Sequence, residues 1–184
     1  MAKIYDRSYF DRWYRSGTHR IGARAELARK VAMVVHVAEY YLGRPLANVL
    51  DVGCGEAPWR AVLERLRPGV DYRGLDPSAY VVQRYGRTRN LGQARFGDLG
   101  ALRFDARFDL IVCSDVLHYV GAAELRRGLD RFGELLEGLA FIEVFTSRDN
   151  VDGDREGFIA RHPNWYRARF LAAAQGDVRR ALAE

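Results

Sequence analysis

Apolar positions first recur at helical spacing and then, beyond Pro45, change to short apolar runs separated by turns and further helical stripes. Tyr5, Tyr9 and Trp13 stand four residues apart, with Phe10 and Tyr14 beside them, which stacks aromatic rings on one face of a short helix. Gly17 and Gly22 punctuate the next stretch. Leu27, Val31, Val34, Val35, Ala38 and Tyr41 then mark one face of a helix over residues 23–42. Gly43 ends it and Pro45 prevents its continuation.

The rest alternates. Residues 48–52 read as a strand and 58–66 as a helix stopped by Pro68-Gly69. Residues 72–75 form a second strand, and 78–85 a helix with Ser78 as its N-cap. Residues 93–96 make a weak third strand, and 108–114 a fourth, apolar enough to be covered on both faces. Leu125, Leu129, Phe132 and Leu136 give a helical stripe, and 139–145 a fifth strand. Alternating strands and helices imply an α/β fold: a Rossmann-like parallel sheet of about five strands flanked by helices. Residues 146–157 read as a charged loop and 165–174 as a helix, while 176–184 show no strand alternation. With no repeat or linker, the 184 residues form one domain: a helical cap (1–44), a core (45–145), and a loop with C-terminal helices (146–184).

Composition narrows the class. A chain of 184 residues that is 48% hydrophobic and 12% aromatic supports a full core rather than disorder. Its apolar runs fall short of the ~20 residues that span a bilayer. The start carries acids and no apolar stretch of signal-peptide type. Two cysteines, Cys54 and Cys113, cannot build a disulfide framework, so a cytoplasmic setting without membrane partners is expected. The net charge of +5 is concentrated at the N-terminus, where residues 1–30 hold eight bases and three acids. Such an arm suits nucleic acid, an acidic ligand or a solvated helix face, and the last is preferred.

Open parallel sheets bind ligands beyond the carboxyl ends of their strands. The first strand runs into Asp51-Val-Gly53-Cys-Gly55, where glycines permit a sharp turn and close approach of a ligand. The second ends in Asp76, where a βαβ nucleotide site places its ribose-binding acid. Asp98 follows the third strand; Ser114, Asp115, His118 and Tyr119 follow the fourth. Four carboxylates are thus expected at one sheet edge. A dinucleotide would want a third glycine opening the next helix, where Pro58 stands.

This ordered set resembles the class I S-adenosylmethionine-dependent methyltransferases of small-molecule type, over residues 48–145. The resemblance implies S-adenosyl-L-methionine as cofactor. Asp51, Gly53 and Gly55 would hold its methionine part, Asp76 the ribose, with Pro77 and Ser78 beside the adenine. Asp98 would meet the adenine amino group, Leu99 would supply an amide and an apolar wall, and Ser114 and Asp115 would pass the methionine and face the acceptor. The family's third motif glycine is Ala57 here, and its closing antiparallel hairpin is expected to be missing. That would leave the fifth strand as an edge for the C-terminal helix or a second copy, as a homodimer, to cover.

Methyl transfer to a small-molecule acceptor by in-line displacement is the implied reaction. RNA methylation through the basic arm and a non-catalytic scaffold of the same fold are the alternatives. His118 suits either a general base or a scaffold residue at a helix start. The N-terminal aromatics suit either a lid or ordinary packing, and residues 162–166 either a far pocket wall or a helix start capped by Asn164. Acids 149, 152 and 154 lack calcium-loop spacing, so no metal is expected.

Overall fold

The computed structural model describes residues 3–15, 24–130, 132–151 and 153–181. Gly17, Gly22 and Asp152 lie outside them.

The aromatic segment forms a short helix, α1 (Arg7–Phe10), that widens into a π turn over Asp11–Arg15. Asp6 caps it by accepting from the Tyr9 N–H at 3.0 Å. Helix α2 (Arg24–Leu42) buries Val31, Val34, Val35 and Ala38 against the sheet. Its stripe ends differently from expectation. Tyr41 is 72% exposed, and Leu42, four residues beyond Ala38, packs against the core instead.

Five parallel strands complete the sheet: β1 (Asn48–Val52), β2 (Asp71–Asp76), β3 (Leu91–Gln93), β4 (Phe108–Ser114) and β5 (Leu136–Glu143), in the order β3-β2-β1-β4-β5. The order reverses between β1 and β4, where open sheets of this kind leave a crevice. Helices α3 (Pro58–Leu66) and α4 (Ala79–Arg89) make the first crossovers, and α5 (Ala122–Leu129) with the short α6 (Phe132–Leu135) leads into β5. Ser78 caps α4 as expected, accepting from the Val81 N–H at 3.2 Å.

Strands β3 and β5 are displaced toward the N-terminus from their expected spans, and β2 gains a residue at each end. Register with β2 pairs Gly74, Leu75 and Asp76 with Leu91, Gly92 and Gln93, so β3 starts two residues early and Phe96–Asp98 is a 3-10 turn. Likewise β4 recruits Leu136 opposite Phe108, drawing into β5 a residue whose spacing fitted the helical stripe. Hydrogen-bond partners fix these ends, and periodicity alone does not carry them.

The core lies on both faces of the sheet. One face packs α2 and α3 on Val49, Leu110 and Val112; the other packs α5 and α6 on Leu50, Ile111 and Cys113. Helix α7 (Pro163–Ala181) joins the second face through Tyr166 and Phe170. It starts two residues earlier than expected, and at its start the His162 ring accepts from the Asn164 N–H at 3.2 Å, so the capping contact is made by His162. Among the described residues no helix is long and apolar enough to cross a membrane.

At the opposite end of the sheet from the crevice, Asp109 is buried and takes both guanidinium nitrogens of Arg44, at 2.6 and 2.7 Å, plus the Ala47 N–H at 2.7 Å. This fork ties the α2–β1 connection to β4.

Candidate functional site

A cavity of about 510 Å³ opens at the carboxyl ends of β1 to β4, within the range of small-molecule pockets, roughly 300–1,000 Å³. Gly53 and Gly55 after β1, Asp76 to Ser78 after β2, and Ala94 to Phe96 after β3 form its floor and one side. Val116, Tyr119 and Val120 after β4, with Glu124 of α5, form the other. The N-terminal segment closes it with Lys3, Ile4, Tyr5, Tyr9, Phe10 and Tyr14, while Trp13 does not line it.

The glycine turn is forced by its surroundings. Gly53 (φ +74) and Cys54 both donate to the Leu75 carbonyl, at 2.7 and 3.1 Å, folding the chain back on β2. A Cβ on Gly53 would overlap Val116, and one on Gly55 (φ +52) would stand 2.7 Å from the Tyr14 hydroxyl. Ala57, at the third glycine position, carries φ +57, so the alanine retains the left-handed conformation at a steric cost that glycine would not carry.

Asp76 faces this turn from the end of β2. Its Oδ2 accepts from the Gly55 N–H and its Oδ1 from the Ser78 N–H, both at 2.8 Å. Burial raises its pKa, and the two amide bonds work against that rise. The carboxylate is therefore fixed in orientation on the cavity wall.

The other three acids are not gathered there. Asp51 is buried beneath the turn and accepts from the Tyr72 hydroxyl at 2.7 Å. Burial pushes its pKa up to about 7, the Tyr72 bond opposes this, and the Asp76 charge adds to it. Asp98 is exposed and accepts from the Arg95 N–H at 2.8 Å, holding the 3-10 turn that presents Phe96 to the cavity. Leu99 is buried behind that turn. Asp115 carries φ +61, and its buried Oδ1 has no hydrogen-bond partner, a strained and unsatisfied group beside the cavity-lining Val116. Burial, with Glu143 nearby, raises the Asp115 pKa to about 6, although Lys30 counters the rise. Ser114 donates to Glu143, which also pairs with Lys30 at 2.7 Å.

His118 lies behind the wall. It is 2% exposed, packs against Tyr119, Phe145 and Phe158, and accepts from the Phe145 N–H through Nδ1 at 3.4 Å. Burial and the nearby Lys3 charge lower its pKa to about 4. His118 does not line the cavity, whereas its neighbour Tyr119 does.

The arm is tied down at several points. Ser78 Oγ donates to the Tyr5 carbonyl at 2.6 Å, Phe10 stacks on Tyr80 with centroids 5.7 Å apart, and Arg15 pairs with Glu56 beyond the glycine turn. The spacing of Tyr5, Tyr9, Phe10 and Tyr14 exposed the aromatic face in the sequence. The partners Glu124, Phe96 and Asp154 gave no local signal.

Asp51 makes a pH prediction. Its folded pKa lies above the ordinary 3.8, so the folded state holds the proton more tightly and stability falls as pH rises from about 4 to about 7. In urea unfolding between pH 4 and 8, Asp51→Asn is expected to reduce this fall, leaving the part carried by Asp76 and Asp115. An unchanged slope would remove Asp51 as its source.

A sequence model described as a methyltransferase domain matches residues 7–176. No curated protein matches the chain. In three dimensions it is similar to a SAM dependent methyltransferase from Archaeoglobus fulgidus, with TM-score 0.66 and 14% identity over 90% of this chain and 72% of that one. It is also similar to SAM-bound CalS10, an amino pentose methyltransferase from Micromonospora echinaspora (TM-score 0.58, 18% identity, 84% and 63% covered). A third is the sugar N-methyltransferase KedS8 from Streptoalloteichus sp ATCC 53650 (TM-score 0.58, 23% identity, 84% and 59% covered). The chain spans 48 to 72% of the length of such structures, and at these identities the likeness is one of fold. The family match covers nearly the whole chain and agrees with the five-stranded order and the glycine turn, so the protein belongs to the methyltransferase-domain family.

Proposed function

We propose that the protein binds S-adenosyl-L-methionine in this cavity and transfers its methyl group to a small-molecule acceptor. The observation that carries the reading is Asp76, a carboxylate locked by two amides and aimed at a cavity on the switch-point side of a parallel sheet.

The residues present fit the cofactor. Asp76 retains lone pairs for two ribose hydroxyls. Gly53 and Gly55 bring backbone to the cavity lining, and a Cβ at either would strike a side chain already packed there, Val116 or Tyr14. Pro77, Ala94 and Phe96 offer an apolar slot for a planar base. Ser114 and Asp115 do not line the cavity, and the unpartnered Asp115 Oδ1 is buried beside the lining residue Val116. Asp51 stiffens the turn from below, and Asp98 and Leu99 hold the turn that carries Phe96. A bound sulfonium supplies a methyl carbon already activated for displacement. The protein's own work is then to orient the acceptor and exclude water, which the aromatic arm over the cavity suits.

The arm's charge supports a small acceptor over RNA. Lys3, Arg7, Arg15 and Lys30 each pair with an acid of this chain, which leaves them poorly placed to neutralise phosphates. The structural neighbours described as sugar methyltransferases accord with that choice.

Calorimetry of the full chain with S-adenosylhomocysteine tests the reading, with saturable one-to-one binding expected. No heat and no shift in thermal unfolding at saturating ligand would overturn it. RNA binding that weakens steeply with salt would favour the alternative acceptor.

A further inference from the structure

Lys3 brings an ammonium group to the cavity wall. Its Nζ lies 3.9 Å from the centroid of the Tyr119 ring, 5.2 Å from that of Tyr9 and 5.3 Å from that of Tyr5. Asp154 closes the cluster as its ion-pair partner, and the Glu156 carbonyl accepts at 2.9 Å. Both charged side chains are only 9% exposed. The cage is held together around its guest: the Tyr119 hydroxyl donates to the Asp154 carbonyl at 2.7 Å, and Tyr5 and Tyr9 meet edge to face.

Three aromatic rings with one carboxylate are the chemistry that recognises an alkylammonium. All three tyrosines line the cavity proposed for the cofactor and acceptor. The ammonium that fills the cage arrives on a flexible four-carbon stem, from residues 3–6, which have no regular secondary structure. A ligand cation reaching the same rings would replace one ammonium by another and leave the carboxylate paired.

We propose that Tyr5, Tyr9, Tyr119 and Asp154 form the acceptor subsite, that it takes an alkylammonium group, and that Lys3 occupies it as an internal stand-in until an acceptor displaces it. The proposal deepens the methyl-transfer reading and rests on it for the word acceptor. It also gives the arm a function: the loop bearing Asp154 and the N-terminal segment are joined through Lys3 when the cage lacks a ligand. A ligand cation would leave each free to adjust to the rest of the acceptor.

The test uses the full chain and two probes of similar shape, choline and its uncharged carbon analogue 3,3-dimethylbutan-1-ol. Each is titrated by calorimetry with and without S-adenosylhomocysteine. Choline is expected to bind and the carbon analogue not. Removing the tethered competitor by Lys3→Ala should raise choline affinity about tenfold or more. Lys3→Gln should do so to a lesser degree. Adding Tyr119→Leu to Lys3→Ala should bring choline down to the level of the carbon analogue. Equal behaviour of the two probes in Lys3→Ala and Lys3→Gln chains that still bind S-adenosylhomocysteine would overturn the cage and leave the cofactor reading standing. Failure of the parent chain to bind S-adenosylhomocysteine would instead overturn methyl transfer, whatever the cation does. Far-UV circular dichroism of each variant separates loss of the cage from loss of fold.

Discussion

Asp76→Ala is expected to lower affinity for S-adenosylhomocysteine by about a hundredfold or more in calorimetry. Two hydrogen bonds to a charged group are each worth about 1.5–3 kcal/mol, and 1.4 kcal/mol is a factor of ten in affinity. The substitution also strips the Gly55 and Ser78 amides of their shared acceptor. Buried donors left unsatisfied cost about 1–3 kcal/mol each, so stability falls together with binding. Asp76→Asn does not restore both contacts, since its amide nitrogen would face one of the two N–H donors. Binding is therefore read at a temperature where the circular dichroism of the variant matches that of the parent. Near-parental affinity in a folded Asp76→Ala chain would remove this residue from the site.

Gly53→Ala is expected to cost about 2–4 kcal/mol of stability in urea unfolding, combining a left-handed alanine with overpacking. The backbone has little room to relax, because the amides of residues 53 and 54 both bond to Leu75. Val116 must then move, and because it lines the cavity its movement changes the wall of the space assigned to the cofactor. Cofactor affinity should therefore fall in the same variant. A second substitution, Val116→Ala, should return the part of the stability due to overlap and leave the part due to φ. If the double variant were no more stable than Gly53→Ala, the overlap would not be the cause.

Much of the frame was legible because its determinants are local. The run over Asn48–Val52, the Pro58 start of α3 and the Ser78 cap of α4 each rest on residues within one turn of the position they fix. The strands shifted at β3 and β5 were the ones whose ends depend on a neighbour's hydrogen bonds. Ala57 shows the same limit within the motif. Its size was readable as a small-for-small replacement, but its left-handed backbone was visible only once the turn was built.

The carboxylates make the contrast sharpest. Their order along the chain, Asp51, Asp76, Asp98 and Asp115, pointed to a sheet-edge site, and the cavity lies at that edge. Of the four, only Asp76 lines it; one lies beneath the turn, one props a turn outside, and one waits unpartnered behind Val116. Strand order is written in apolar runs and turn residues, whereas the direction of a side chain depends on donors supplied by other strands. The charged arm shows the same contrast. Its +5 was plain from composition, but the partners Glu56, Glu143 and Asp154 lie far along the chain, where no local pattern links them to Arg15, Lys30 and Lys3. The sequence by itself determined an α/β sheet with a glycine turn and an acid at its carboxyl edge, because those follow from short-range sterics and periodic burial. Only the tertiary structure decided which acid faces the cavity and that three tyrosines enclose an ammonium there. Those outcomes depend on long-range packing between segments up to 153 residues apart.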